Sequence, residues 1–221
     1  MIITKNIFSL LEKYLPSDSI IIEAGAFDGR DTKKLSALLP NATIHAFEPV
    51  PEIFAELTTK TSGLSNIYCY QIALSDKTGT TTFYVAENPK KPGKICQAGT
   101  LMVPKERLKK SPILYPRTIN ISTITVDDWA QQNNIKRVDF MWLDLQGHEL
   151  AVLKAAPQFI QRVRFIFLEV NFIEAYHDQP TCQEIDEWLK NNGFEVLARD
   201  FEDENRWFFG AILYARIVNS D

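Results

Sequence analysis

Cysteine is scarce in this sequence, and its placement excludes more than it suggests. Cys69, Cys96 and Cys182 are far apart and fit no metal-ligating spacing. They read as buried thiols in a reducing compartment, not as a disulfide framework. Long apolar runs are also missing. The most apolar stretch near the end, Trp207 to Ala215, is too short to cross a bilayer. No signal-like apolar stretch opens the chain; within residues 1–17, Ile7, Leu10, Leu11 and Tyr14 space as one face of a short amphipathic helix. Positive charge is not in excess: a net charge of −4 and a pI near 5.5 argue against a general nucleic-acid binder. No internal repeat recurs at a fixed period. These absences leave a cytoplasmic protein with no membrane span. Its 221 residues, 45% hydrophobic and 24% charged, suit a single domain with a real core. They say nothing of oligomeric state.

One more absence is local. A dinucleotide-binding turn carries G-x-G-x-x-G, whose second glycine lets the backbone approach a pyrophosphate. Here the β-branched run Ile20-Ile21-Ile22 leads into Glu23-Ala-Gly-Ala-Phe-Asp-Gly29, with a phenyl ring where close approach is needed and an acid beside it. Thr43 to Phe47 reads as the next strand, and Glu48 stands at its carboxyl end, where such folds hold ribose hydroxyls. A nucleoside without phosphates fits this pattern. S-adenosylmethionine, with its adenosine, sulfonium and ammonium, suits Glu23 and Asp28 at its positive end. An ordinary strand–turn–helix is the other reading of Gly25 to Gly29.

Strands and helices alternate along the rest. Helices are expected over Arg30 to Leu39, Glu52 to Thr61, Val126 to Gln132 behind Thr125, Gly147 to Ala156 and Thr181 to Asn191. Strands are expected over Ile67 to Leu74, Thr80 to Val85, Ile119 to Ile124, Val138 to Leu143, Arg164 to Leu168, Phe194 to Arg199 and Phe208 to Arg216. The pattern implies an α/β, doubly wound, mostly parallel sheet. The last two strands are too close in sequence to be parallel neighbours, so the final one is reversed.

Residues 86–117 interrupt this order. They hold five of the eleven prolines, and eight basic residues against only Glu87 and Glu106. Such a segment is either a solvated loop or a flap over the active site. As a flap, its charge favours an anionic acceptor.

The chemistry is expected at strand tips. Asp144-Leu-Gln-Gly-His-Glu149 follows a strand whose carboxyl end lines the ligand crevice. His148 is the first candidate for removing a proton from a hydroxyl and Asp144 the second, with Glu169 ending the neighbouring strand. Glu149 reads as a first-turn acid favoured by the helix dipole. Asp144, His148 and Glu169 specify no metal geometry, and no metal site is assigned. His177 and Asp178 lie in a polar loop near the same end.

With these residues in hand, the chain resembles the FkbM-type methyltransferases, over roughly residues 18 to 215. The features that carry the resemblance are Glu23 to Gly29, Phe47-Glu48-Pro49, Ala73-Leu74-Ser75-Asp76, Asp144 to Glu149 and Phe167-Leu-Glu169-Val. The resemblance implies a seven-stranded methyltransferase fold with a reversed last strand. It further implies that Glu23, Gly25, Ala26, Phe27, Asp28 and Gly29 wrap the methionine part of S-adenosylmethionine. Glu48, with Pro49, would take the ribose, Ala73 and Leu74 would lie near adenine, and S-adenosylhomocysteine would be the product. Phe27 departs from a position often polar in the family, and Gln146 replaces a frequent Glu. The expected activity is O-methylation of a hydroxyl on a sugar, glycolipid or secondary metabolite. The alternatives are an NAD-dependent oxidoreductase on a related sheet and a non-catalytic nucleoside-binding or scaffold module.

Overall fold

The run Ile20–Ile22 opens β1 (Ile20–Ala24), a central strand with almost every side chain buried, as suits a strand covered on both faces. The computed structural model describes residues 7–111, 113–201 and 208–217. α1 (Ile7–Tyr14) precedes β1. α2 (Arg30–Leu38), β2 (Thr43–Phe47), α3 (Pro51–Thr61) and β3 (Ile67–Tyr70) then step outward in parallel on one side. A separate three-stranded sheet follows, from β4 (Ala73–Leu74), β5 (Gly79–Glu87) and β6 (Leu114–Ile124), with α4 (Arg107–Lys110) between the last two. After α5 (Val126–Gln132) the chain returns to the large sheet as β7 (Val138–Leu143), beside β1. α6 (Glu149–Lys154), β8 (Val163–Asn171), α7 (Cys182–Asn191), β9 (Phe194–Arg199) and β10 (Phe209–Arg216) complete it.

The large sheet has the order β3-β2-β1-β7-β8-β10-β9, and β10 runs antiparallel to both neighbours. This is the doubly wound sheet with a reversed last strand that the sequence implies. Strand alternation divides its side chains. Ile21, Ile44, Phe140 and Leu213 face α1 and α2 through Leu10, Leu11 and Leu35. Ile22, Met141, Ile166 and Ile212 face α5, α6 and α7 through Trp129, Leu153 and Leu189. Thr125 Oγ1 caps α5 and Thr181 closes a capping box on α7.

Some expected elements change. Residues 67–74 form two strands in different sheets, because Ala73 and Leu74 leave the large sheet to pair with Thr123 and Ile124. The helix expected from Gly147 starts at Glu149, since Gln146 (φ 52°) and Gly147 (φ 100°) are left-handed and cannot begin a helix. β8 runs past Leu168, so Glu169 lies inside a strand opposite Ala211. The thiols are less buried than expected: only Cys182 is fully buried, while Cys69 and Cys96 are partly exposed. Residues 1–6 of the N-terminal segment, Pro112 of the basic segment and Trp207 lie outside the described residues. Among the described residues no helix is long and apolar enough to cross a membrane.

Candidate functional site

The strand order reverses direction between β1 and β7, and ligands of open α/β sheets bind at that crevice. The turn after β1 and the loop after β7 meet there. Gly25 and Ala26 donate their N–H groups to the Phe47 carbonyl at 3.1 and 3.0 Å, tying the turn to the end of β2. Asp144 N–H donates to the Ala24 carbonyl at 3.0 Å. Gly25 adopts φ 86° and Phe27 φ 47°, so the turn holds a bulky residue in a conformation few side chains accept. Over this floor lies a cavity that opens to solvent.

Glu23, Gly25, Ala26, Phe27, Asp28, Glu48, Pro49, Ala73, Leu74 and Asp144 all line that cavity. Glu23 is 3% exposed, with Thr32 beside its carboxylate and no partner within hydrogen-bond geometry of the buried Oε2. Burial pushes its pKa to about 8. A buried acceptor left open in this way suits a cationic or N–H-bearing ligand. Glu48 accepts from the Val50 N–H through Oε1 at 2.8 Å, and burial lifts its pKa to about 7. Asp28 is different. Burial works against its charge, but Lys60 Nζ at 2.5 Å and the Arg30 N–H at 3.2 Å hold its pKa below the ordinary value. Its carboxylate lines the cavity already matched by a lysine.

Asp144 lines the cavity just beyond the end of β7. Its Oδ1 accepts from Gln146 Nε2 at 2.6 Å, and the same Nε2 lies 3.2 Å from Glu169 Oε1. Burial raises both carboxyl pKa values, and the Asp144 charge pushes Glu169 further up. Glu149 folds back under the loop and accepts from the Leu145 and Gly147 N–H groups at 2.8 and 3.0 Å. Burial lifts its pKa to about 7. It anchors the loop from beneath.

Three of the expected site residues are not brought to the cavity. His148 points away, with Nε2 3.1 Å from Ser75 Oγ and 3.6 Å from Asp76 Oδ1. The left-handed pair Gln146–Gly147 turns the chain over before residue 148, which sends the imidazole to the outside of the loop. Burial lowers its pKa. Gly29 also faces elsewhere: a β-carbon there would come within 2.8 Å of Leu57 Cδ1, so this glycine lets the turn pack on α3. Glu169 stands behind Gln146, not at the rim. His177 and Asp178 are exposed. Among the described residues, no group of three His, Cys, Asp or Glu side chains converges as metal ligands.

Against this geometry, the methyltransferase FkbM domain matches residues 23–196, which takes in the turn, the Asp144 loop and most of the sheet. The chain belongs to the FkbM methyltransferase family. It is 28% identical over 196 residues to the 2-O-methyltransferase NoeI of Sinorhizobium fredii, covering 88% of this chain and 79% of that protein. To the hexuronic acid methyltransferase AglP of Haloferax volcanii it is 24% identical over 168 residues, covering 76% of this chain and 62% of that one. Its fold is similar to that of magnesium protoporphyrin IX methyltransferase from Synechocystis PCC 6803, with a TM-score of 0.52 at 13% identity, covering 96% of this chain and 76% of that one.

The roof over this cavity has no residue-by-residue signal in the sequence. Phe83 and Val85 of β5, with Ile95, Cys96, Gln97 and Leu101, close it from above. The alternation at 80–85 signals a strand, but nothing in it says what the strand covers. Bridges between Tyr84 and Thr100 and between Glu87 and Ile95 fold the first part of the basic segment onto β5. Residues 86–101 thereby pack over the cavity. Trp142, which reads in the sequence as ordinary packing, also reaches the cavity wall.

Proposed function

We propose that the protein transfers a methyl group from S-adenosylmethionine to a hydroxyl of a sugar-containing acceptor. The observation that carries this reading is a row of three acids lining one cavity across neighbouring strand tips: Glu48 after β2, Glu23 in β1 and Asp144 after β7. Apolar residues of the same lining, Val50, Ala73 and Leu74, lie on the cavity wall beside them. Bound there, the cofactor supplies an electrophilic sulfonium methyl. The residues fit it: Glu23 Oε2 is a buried acceptor with no partner in hydrogen-bond geometry, Glu48 sits where ribose hydroxyls are held, and Val50, Ala73 and Leu74 offer an apolar surface to a purine. The relatives named for 2-O-methylation and for hexuronic acids support a sugar hydroxyl as acceptor.

Asp144 is the proton acceptor in this reading. Its carboxylate faces the cavity, its raised pKa makes it a better base than a free aspartate, and it orients the hydroxyl before it takes the proton. Alignment of the reacting groups supplies several kcal/mol of the barrier reduction. The roof from β5 and residues 95–101 excludes water.

The test has two parts. Calorimetry with S-adenosylhomocysteine and with NAD compares the two nucleotides; tighter binding of the first is expected. Methyl transfer from S-adenosylmethionine to methyl β-D-glucuronide and methyl β-D-glucoside is then followed by mass. Binding of NAD alone, or methylation confined to amine acceptors, would overturn the proposal.

A further inference from the structure

Gln146 makes more hydrogen bonds than any other residue of the loop, and it is 4% exposed in a left-handed backbone conformation. Its Nε2 serves the Asp144 and Glu169 carboxyls at 2.6 and 3.2 Å, and its Oε1 accepts from the Tyr176 hydroxyl at 2.8 Å. The Thr100 hydroxyl donates to its carbonyl at 3.0 Å. Tyr176 is fully buried, and burial pushes its phenol far up, so it stays a donor at any working pH. A permanent donor at Oε1 fixes which way the amide faces: reversed, it would set an oxygen against two carboxyls and an N–H against a hydroxyl proton.

The basic segment is joined to this network. Lys105 and Arg107 N–H groups donate to the Ala175 carbonyl at 2.8 and 3.2 Å, and the His177 N–H donates to the Val103 carbonyl at 2.9 Å. The Arg107 guanidinium, 9% exposed, lies 5.8 Å from the Tyr176 ring centroid and beside the Tyr115 side chain. Its charge favours the ionised forms of Asp144 and Glu169, whereas Glu149, Asp31 and Asp200 oppose them from α6, α2 and the end of β9.

We infer that Gln146 and Tyr176 are positioning residues for Asp144. Tyr176 locks the Gln146 amide so that its N–H₂ group bridges the two carboxyls and aims the Asp144 carboxylate into the cavity. The inference rests on Asp144 acting in the reaction. Two carboxyls on one amide resist ionising together. Glu169 is raised the more, which favours Asp144 as the ionised member of the pair. Arg107, carried by the insertion, supplies the compensating charge.

The experiment uses the full chain with ¹³C-labelled Asp and Glu side-chain carboxyls, saturated with S-adenosylhomocysteine and titrated by NMR. The Asp144 signal is identified by its loss in Asp144→Asn. Tyr176→Phe is expected to displace the Asp144 midpoint while S-adenosylhomocysteine affinity stays within about threefold. Gln146→Glu, which adds a third carboxylate, is expected to raise the midpoint further. On whichever methyl glycoside is turned over, Tyr176→Phe should lower kcat roughly tenfold, leave KM in place and move the acid limb of the kcat profile with the Asp144 midpoint. An Asp144 midpoint unchanged in both variants overturns the inference. A midpoint that moves while the kcat limb stays still upholds the positioning and removes Asp144 from the proton transfer.

Discussion

Gly25 lies directly against the carbonyl oxygen of Asp144, so closely that a β-carbon on residue 25 would overlap it. The turn after β1 and the loop after β7 therefore meet through backbone. Neither can shift without displacing the other.

Gly25→Ala is accordingly expected to fail on two counts, the overlap and a φ of 86°. A loss of at least about 2 kcal/mol in stability is expected from these together. Chemical denaturation measures it, and calorimetry should show S-adenosylhomocysteine binding weakened beyond that of Ala26→Ser. Wild-type stability in Gly25→Ala would refute the contact.

Cofactor affinity should rise with pH. Glu48 and Glu23, held by burial at about 7 and about 8, must be ionised to accept from ribose and ammonium groups. Between about pH 6 and 8 binding therefore releases protons, by at most a factor of ten in affinity per unit for each group. Calorimetry in buffers of different ionisation enthalpy counts them. Glu48→Gln should reduce the count, and an unchanged count would remove Glu48 from the site.

Stability without ligand should move the opposite way. Glu23, Glu48 and Glu149 have folded pKa values of about 8, 7 and 7 against 4.5 in the unfolded chain. Their contribution is complete below 4.5 and is lost as pH climbs through 7 to 8, at up to about 1.4 kcal/mol per unit for each group. Glu23→Gln should flatten the fall above pH 6.5 while weakening cofactor binding. An equally steep fall in that variant would show that Glu23 is ionised in the free protein.

Asp144→Asn should lower turnover by about 10² to 10⁴. Its affinity for S-adenosylhomocysteine should stay near wild type. His148→Ala, with an imidazole that faces Ser75, should keep turnover within several-fold. Steady-state kinetics on a methyl glycoside decide between them, and the reverse ranking would return the proton transfer to His148.

The frame of this fold is legible in the sequence because it is written in periodicity. The β-branched run at 20–22, the Thr125 cap and the short link before β10 each have a local cause, and each appears where expected. Asp144 is legible too, as an acid at a strand tip. What escapes is decided by single backbone angles and by non-local pairing. Two left-handed residues, Gln146 and Gly147, turn His148 outward, and no pattern of residue types announces them. Ala73 and Leu74 read as the continuation of β3 because their partner strand lies some fifty residues later. Tyr176 and Arg107 carry no signal: one is an aromatic in an irregular stretch, the other one base among many.

The neck of the small sheet has a wider consequence. β4 and β6 lie side by side, Ala73 against Thr123, and the Ser75 N–H donates to the Ile124 carbonyl at 3.0 Å. Everything from 76 to 122 thus leaves and returns through one narrow gate. Such a module can lengthen or shorten between its two ends so long as Thr100 and the 105–107 backbone keep their bonds to Gln146 and Ala175. Insertions are expected to be tolerated in the exposed stretches between those ties.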